Sequence, residues 1–272
     1  MDEDVRAKTL LSRRGFMRST AALAGALRAM PSTPACVLTT EQEEGPYYID
    51  YQSLRRDLTE GKPGVPLRLK IALMHAKRCT PLPDAALDIW HCDAVGVYSG
   101  FTANHPGGPG GRGGRPPGPP PDGFGAPPGG RRTVDATRFL RGVQTTDSNG
   151  MAEFATIYPG WYEGRTLHIH LKVHTGGHVS HTGQLFFPED ITARIAQLQP
   201  YANHQDVHLT TQDEDHVFED EHGASGMLTL SRIDAKADAA GFIATVTLAV
   251  DPEATPQPVG MRGPGFPPPQ RP

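Results

Sequence analysis

Two histidines one residue apart, in Arg165-Thr166-Leu167-His168-Ile169-His170, are the residues of this chain best spaced for chemistry. On a β-strand, side chains at i and i+2 leave the same face, so both imidazoles can reach a single metal ion. Such a pair also occurs on strands that bind nothing, as surface or core histidines, and it therefore needs company. Two tyrosines stand in settings as distinctive as that of the histidines. Tyr98 closes the run Asp88-Ile89-Trp90-His91-Cys92-Asp93-Ala94-Val95-Gly96-Val97-Tyr98, and Tyr162 sits in Tyr158-Pro159-Gly160-Trp161-Tyr162, just upstream of the pair.

Other metal chemistries built on His-x-His fit less well. A cupin site needs a Glu soon after the pair, but the chain continues Leu171-Lys172-Val173-His174-Thr175-Gly176. A 2-His-1-carboxylate Fe(II) oxygenase wants His-x-Asp/Glu and a distant His. A zinc hydrolase could join His168 and His170 to one of His174, His178 or His181, with water in the fourth position. The non-enzymatic alternative is a binding module with a degenerate metal site. His91, His204, His208, His216 and His222 read as surface or satisfied polar groups. Asp213-Glu214-Asp215 and Glu219-Asp220-Glu221 read as solvated acidic loops, and Trp90 as a core residue.

Taken together, these motifs resemble those of the intradiol ring-cleaving dioxygenases, over roughly Leu38 to Phe187. The family's Trp-x5-Gly-x-Tyr element is matched by Trp90, Gly96 and Tyr98. Its Pro-Gly-x-Tyr element is matched by Pro159, Gly160 and Tyr162, and its Arg-x-x-His-x-His element by Arg165, His168 and His170. The resemblance implies that Tyr98, Tyr162, His168 and His170 ligate Fe(III), and that Arg165 and Gln184 contact the substrate. It further implies that Tyr162 is the ligand that departs when substrate binds, then acts as base for the second substrate proton. Gly45-Pro46-Tyr47-Tyr48 resembles the arm that borders the cavity. The implied partners are a catechol-type substrate and O2, and the implied product is a cis,cis-muconate-type diacid. Thr166 replaces a common Pro, the Tyr162–Arg165 segment is short, and the helical dimerisation domain of bacterial catechol dioxygenases has no counterpart. The core is thus closer to the protocatechuate type. Substrate identity and oligomeric state stay open, and a homo-oligomer is compatible with the reading.

The ligand types suit the metal. Fe(III) is a hard cation, which phenolate oxygens stabilise far better than they do Fe(II). A phenol pKa of about 10 is no obstacle, because a bound cation inverts the local protonation logic. A fixed guanidinium at Arg165 would stabilise negative charge developing on the ring.

These residues need rigid strands to hold them. Gly 31 and Pro 27 are many for a helical protein of 272 residues, and such punctuation favours short strands joined by turns. Strand-like segments are Pro66–His75, Ala85–Asp93, Arg138–Thr145, Met151–Ile157, Arg165–His174, Gly183–Phe187 and Gly241–Val250. Several alternate in polarity, the sign of antiparallel strands with one buried face. Asp147-Ser148-Asn149-Gly150 supplies hairpin chemistry, and only Glu189–Leu198 has a helical period. The expected fold is all-β: a two-layer antiparallel β-sandwich with long loops and little helix.

Around that domain, expected over 36–255, the chain changes character. Residues 1–35 hold Ser12-Arg13-Arg14-Gly15-Phe16-Met17-Arg18 and a modest apolar run, which together describe a twin-arginine export signal. The protein is accordingly expected outside the cytoplasm, periplasmic or extracellular. Residues 105–132 are nearly all Gly, Pro and Arg and read as a flexible surface loop, and 256–272 as a disordered Pro-rich tail. An exported chain can keep a disulfide; Cys36–Cys79 is the favoured pairing because Cys92 lies inside a strand-like run, and the absence of any bridge stays open as the alternative. Cys36 could instead carry lipid, but Thr33-Pro34-Ala35-Cys36 is a poor lipobox. With Lys+Arg 26 against Asp+Glu 30, nothing points to a nucleic-acid partner. No apolar run approaches the ~20 residues of a membrane span, which predicts a soluble mature protein.

Overall fold

The computed structural model describes residues 36–50, 53–102, 133–256 and 259. The expected signal over 1–35, the 105–132 segment and nearly all of the tail lie outside them.

Strand β1 (Pro66–His75) shows why the chain folds in layers. Leu67, Leu69, Ile71 and Leu73 are buried, whereas Arg68 and Lys70 between them are not, as a period of two requires. On one side β1 pairs antiparallel with β5 (Met151–Ile157) and with the short β2 (Thr80–Pro81). On its other side lies β9 (Ala237–Val250), followed by β8 (Thr229–Asp234). The second sheet runs β4-β3-β6-β7, with β3 Ala86–Trp90, β4 Arg141–Thr145, β6 His168–Thr175 and β7 His178–Phe186. One apolar cluster joins the two sheets, with Leu69, Phe154 and Phe242 from the first and Ile89, Leu171 and Leu185 from the second. The helices are short, α1 (Glu189–Ile195) and α2 (His216–Asp220). This is the expected all-β sandwich with little helix.

The topology differs from the sequence reading at two places. The β1–β9 pair is parallel, from Leu67↔Phe242 to His75↔Val250. Parallel neighbours need a long crossover, and most of the domain lies between these two strands in sequence. The turn at Asp147–Gly150 also does not make a hairpin of paired strands. Its chemistry is as expected, with the Asp147 carboxylate accepting from Asn149 N and Met151 N. But β4 pairs with β3 and β5 with β1, so the turn carries the chain from one sheet to the other.

Cys36 and Cys79 are disulfide-bonded, with Cα atoms 5.5 Å apart, which ties the start of the 36–50 arm to the turn after β1. The arm then runs along β7. Gln42 N donates to Thr182 O (3.0 Å), Thr182 N to the Glu41 carboxylate (2.9 Å) and Gln184 N to Gln42 Oε1 (2.8 Å). This lays Tyr47 and Tyr48 over the four-stranded sheet. Both faces of β6 are consequently buried. Ile169, Leu171 and Val173 enter the main core. His168, His170 and Lys172 face the other way, toward a second cluster of Tyr47, Trp90, Cys92, Tyr98 and Phe101.

Candidate metal centre

On β6, His170 stands between Trp90 of β3 and Gln184 of β7 in register, and His168 lies opposite Phe186. The Trp90 ring stacks on His170, centroids 5.0 Å apart and planes within 3°. Gly45 closes the edge: it has φ +73°, and a Cβ there would lie 2.9 Å from His170 Cε1. His168 is oriented differently. Its Nδ1 is 2.6 Å from Thr166 O, and a carbonyl only accepts, so Nδ1 carries the proton and Nε2 presents a bare lone pair.

The two tyrosines arrive on loops that touch. Gly160 N donates to Asp93 O at 3.0 Å, and a Cβ on Gly160 would come within 2.5 Å of Asp93 O. A Cβ on Gly96 would meet Trp161 O at 2.3 Å. The glycines of the two tyrosine motifs are therefore what lets these loops approach and set Tyr98 and Tyr162 side by side. Three atoms surround His168 Nε2: His170 Nε2 at 3.0 Å, Tyr162 Oη at 3.1 Å and Tyr98 Oη at 3.4 Å.

The electrostatics of these four groups suit a cation. Burial pushes both imidazoles well below the usual histidine range, helped at His168 by Arg165 and at His170 by His168 and Arg165. They are held in the neutral, ligating form. Burial also pushes both phenols up, so they ionise here only against a positive charge. His170 Nδ1 is buried with no partner among the described residues, and its Nε2 points toward His168 Nε2. No three His, Cys, Asp or Glu among the described residues are grouped to hold a metal; the donor set here is half tyrosine.

Beside the donors, Arg165 is buried and held on three sides. Its Nε donates to both Asp215 oxygens (3.0 and 3.1 Å), its Nη1 to Glu43 (3.4 Å) and its Nη2 to Gln184 Oε1. Burial alone would lower its pKa, but Tyr162, Asp215 and Glu43 outweigh that and raise it, so it stays charged. Gln184 Nε2 donates to Glu43 O at 2.9 Å. The structure thus brings together all six residues singled out in the sequence.

An intradiol ring-cleavage dioxygenase from Tetranychus urticae has a solved structure that is 30% identical, with 82% of this chain and 98% of that one aligned and a TM-score of 0.69. This chain belongs to the intradiol ring-cleavage dioxygenases. The dioxygenase domain of a dioxygenase–carbohydrate-binding protein fusion from Streptomyces sp. SirexAA-E is 25% identical over 79% of this chain and 99% of that one, TM-score 0.50. A 3-chlorocatechol 1,2-dioxygenase from Rhodococcus opacus 1CP shares the fold at 20% identity, over 79% and 74% of the two chains, TM-score 0.50. No protein-family model and no curated protein matches the chain.

Within this intradiol dioxygenase, the residues set aside on sequence grounds divide. His91 is buried and bonded at both ring nitrogens, to Cys92 O and to Thr156 Oγ1, and His204 Nε2 bonds Trp161 O. His178 and His181 pair with Thr175 and Val173, and His174 with Val179. These three sit three to five positions along the ladder from His170, roughly 10 Å or more away. His181 is instead paired with Glu41. Trp90 is buried, but on the metal-site face, not in the main core. Asp215 was misread as solvated: it is fully buried, because its carboxylate caps α2 and pairs with Arg165. A surface groove of about 280 Å³ on the five-stranded sheet, lined by Lys70, Met151, Thr229 and Thr245, lies apart from these donors.

Proposed function

We propose that the protein is a non-haem Fe(III)-dependent intradiol dioxygenase that opens catechol-type rings with O2 to give cis,cis-muconate-type diacids. One observation carries this reading: two tyrosine oxygens and two neutral imidazole nitrogens converge on one point in a buried, aromatic-walled site. Fe(III), when bound, is neutralised by the phenolates and supplies the Lewis acidity that activates a catecholate ring toward O2.

The chain's own residues then have separate tasks. His168 and His170 are fixed by Thr166 O, Trp90 and Gly45 and hold the metal as neutral ligands. Tyr98 is buried against Tyr47 and holds its place. Tyr162 is partly exposed on a short loop, and its Oη is the group suited to take the second hydroxyl proton of the substrate. Arg165 offers a permanent positive charge beside the ring, where it stabilises negative charge that develops in the reaction. Gln184 fixes the outer edge of that guanidinium. Tyr47, Trp90 and Phe101 close the site with apolar surface.

We also propose export. The twin-arginine sequence at Arg13-Arg14 and the Cys36–Cys79 disulfide both suit an oxidising compartment. Among the described residues, no helix is long and apolar enough to cross a membrane.

The reaction is tested by supplying catechol and ¹⁸O2 to the iron-loaded protein and weighing the product. The expected product is the diacid cut between the two hydroxyl-bearing carbons, with both atoms of one O2 molecule incorporated. Cleavage beside the hydroxyls, or no oxygen uptake by iron-loaded protein with any of a panel of substituted catechols, contradicts it.

A further inference from the structure

Asp215 occupies an unusual position for a residue in an acidic loop. It is fully buried, and its two oxygens accept four hydrogen bonds from three donor groups. Arg165 Nε reaches Oδ1 at 3.0 Å and Oδ2 at 3.1 Å, Thr166 N reaches Oδ2 at 3.0 Å, and Val217 N reaches Oδ1 at 2.9 Å. The last of these caps α2. The first two meet the opposite ends of the candidate site. Arg165 is its charged side, and the Thr166 carbonyl receives the Nδ1 proton of His168. One carboxylate therefore braces the guanidinium and, through one residue of backbone, the imidazole.

The charge distribution gives this brace a purpose. Glu43 lies 3.4 Å from Arg165 Nη1 on the arm side, and the half-buried Glu221 is hydrogen-bonded to Glu43 N at 2.8 Å. Without Asp215, the carboxylate still bonded to the guanidinium would be Glu43, which would draw it toward the arm. Asp215 opposes that pull with both oxygens on the single Nε–H, a charge-assisted three-centre contact.

We propose that Asp215 is a positioning residue that couples the two halves of the site, aiming Arg165 at the substrate and steadying His168 on the metal. The proposal rests on the function given above. It makes Asp215 neither a ligand nor a group that touches substrate.

The test uses Asp215→Ser, because a serine hydroxyl still caps a helix but cannot reach and hold the guanidinium. Asp215→Asn keeps the volume as well and serves in the same measurements if the serine variant folds poorly. Two effects are expected. First, kcat falls ~10²-fold with KM within about threefold, because the misplaced charge acts on the transition state. The double variant Asp215→Ser/Arg165→Ala then turns over within about threefold of Arg165→Ala alone, since a residue that acts through another has nothing left to lose. Second, transfer of iron to a ferric chelator, followed without any turnover, quickens ~10–100-fold, whereas Arg165→Ala leaves it unchanged. A wild-type kcat and chelation rate in the Asp215 variants, or a double variant whose loss is the product of the single losses, overturns the inference and leaves the function standing. A wild-type protein that takes up no iron overturns the function, and this inference with it.

Discussion

Tyr47 lies flat against Tyr98, ring centroids 4.4 Å apart and planes 16° from parallel, and meets Tyr162 only edge-on at 6.3 Å. With the Arg141 guanidinium 6.0 Å from its ring as well, Tyr98 is packed on all sides and buried. Tyr162 is partly exposed and sits on the short loop between Gly160 and Gly164. The two phenols are therefore unequal.

That inequality gives the first prediction. Tyr162→Phe should bind Fe(III) through His168, His170 and Tyr98 and shift the visible band. Its catechol complex should look nearly like the wild-type one, while turnover falls ~10²–10⁴-fold for loss of a general base. Tyr98→Phe should alter the spectrum both before and after catechol is added. Equal spectral responses to catechol in the two variants would refute the assigned asymmetry.

Arg165→Ala should keep iron and colour and lose most turnover, on the order of 10²–10³-fold. The guanidinium is bonded to Asp215, Glu43 and Gln184 and contacts none of the four donors by hydrogen bond. Loss of iron from this variant, measured by metal analysis, would make Arg165 structural instead.

Gly45→Ala tests how the arm supports the metal site. A left-handed conformation costs a residue with a Cβ about 1–2 kcal/mol, and here the methyl would also press on His170 Cε1 at 2.9 Å. The expected outcome is a lowered Tm together with faster loss of iron to a chelator. A lowered Tm with unchanged iron retention would mean that His170 does not depend on the arm.

Much of this was legible in the sequence, for a physical reason. β1 was located to the residue, because Leu67, Leu69 and Ile71 alternate with the polar Arg68 and Lys70; β5 was located to the residue as well. The His168–His170 pair was legible because its spacing is the strand period. β8 was not, since its residues are mostly exposed and an edge strand need not alternate. Asp215 was misread because its partner Arg165 lies 50 positions away, and no local pattern distinguishes a buried acid from its solvated neighbours Asp213 and Glu214. The parallel β1–β9 pairing is likewise a choice made by the whole sandwich.

Asp88 gives a pH prediction. Burial raises its carboxyl pKa to about 7, against a lowering hydrogen bond from Tyr48 and the charges of Arg141 and Lys172. Its folded-state pKa thus lies above the unfolded value of 3.8. The folded state favours the proton, and stability is lost as pH rises from about 4 through 7. Asp88→Asn cannot ionise. Its urea midpoint relative to wild type should climb across that window, by an amount worth a few kcal/mol. A difference independent of pH from 4 to 8 would show that Asp88 is not held protonated.

The central claim is that Tyr98, Tyr162, His168 and His170 hold ferric iron in an order that admits a catechol. It is tested most directly by the visible absorption spectrum of the purified protein, with its iron content, before and after anaerobic addition of catechol. The account predicts about one iron per chain, a red-brown protein from tyrosinate-to-ferric charge transfer, and a new band at longer wavelength when catechol binds. A colourless protein holding stoichiometric zinc, or an iron protein whose spectrum ignores catechol, would contradict it.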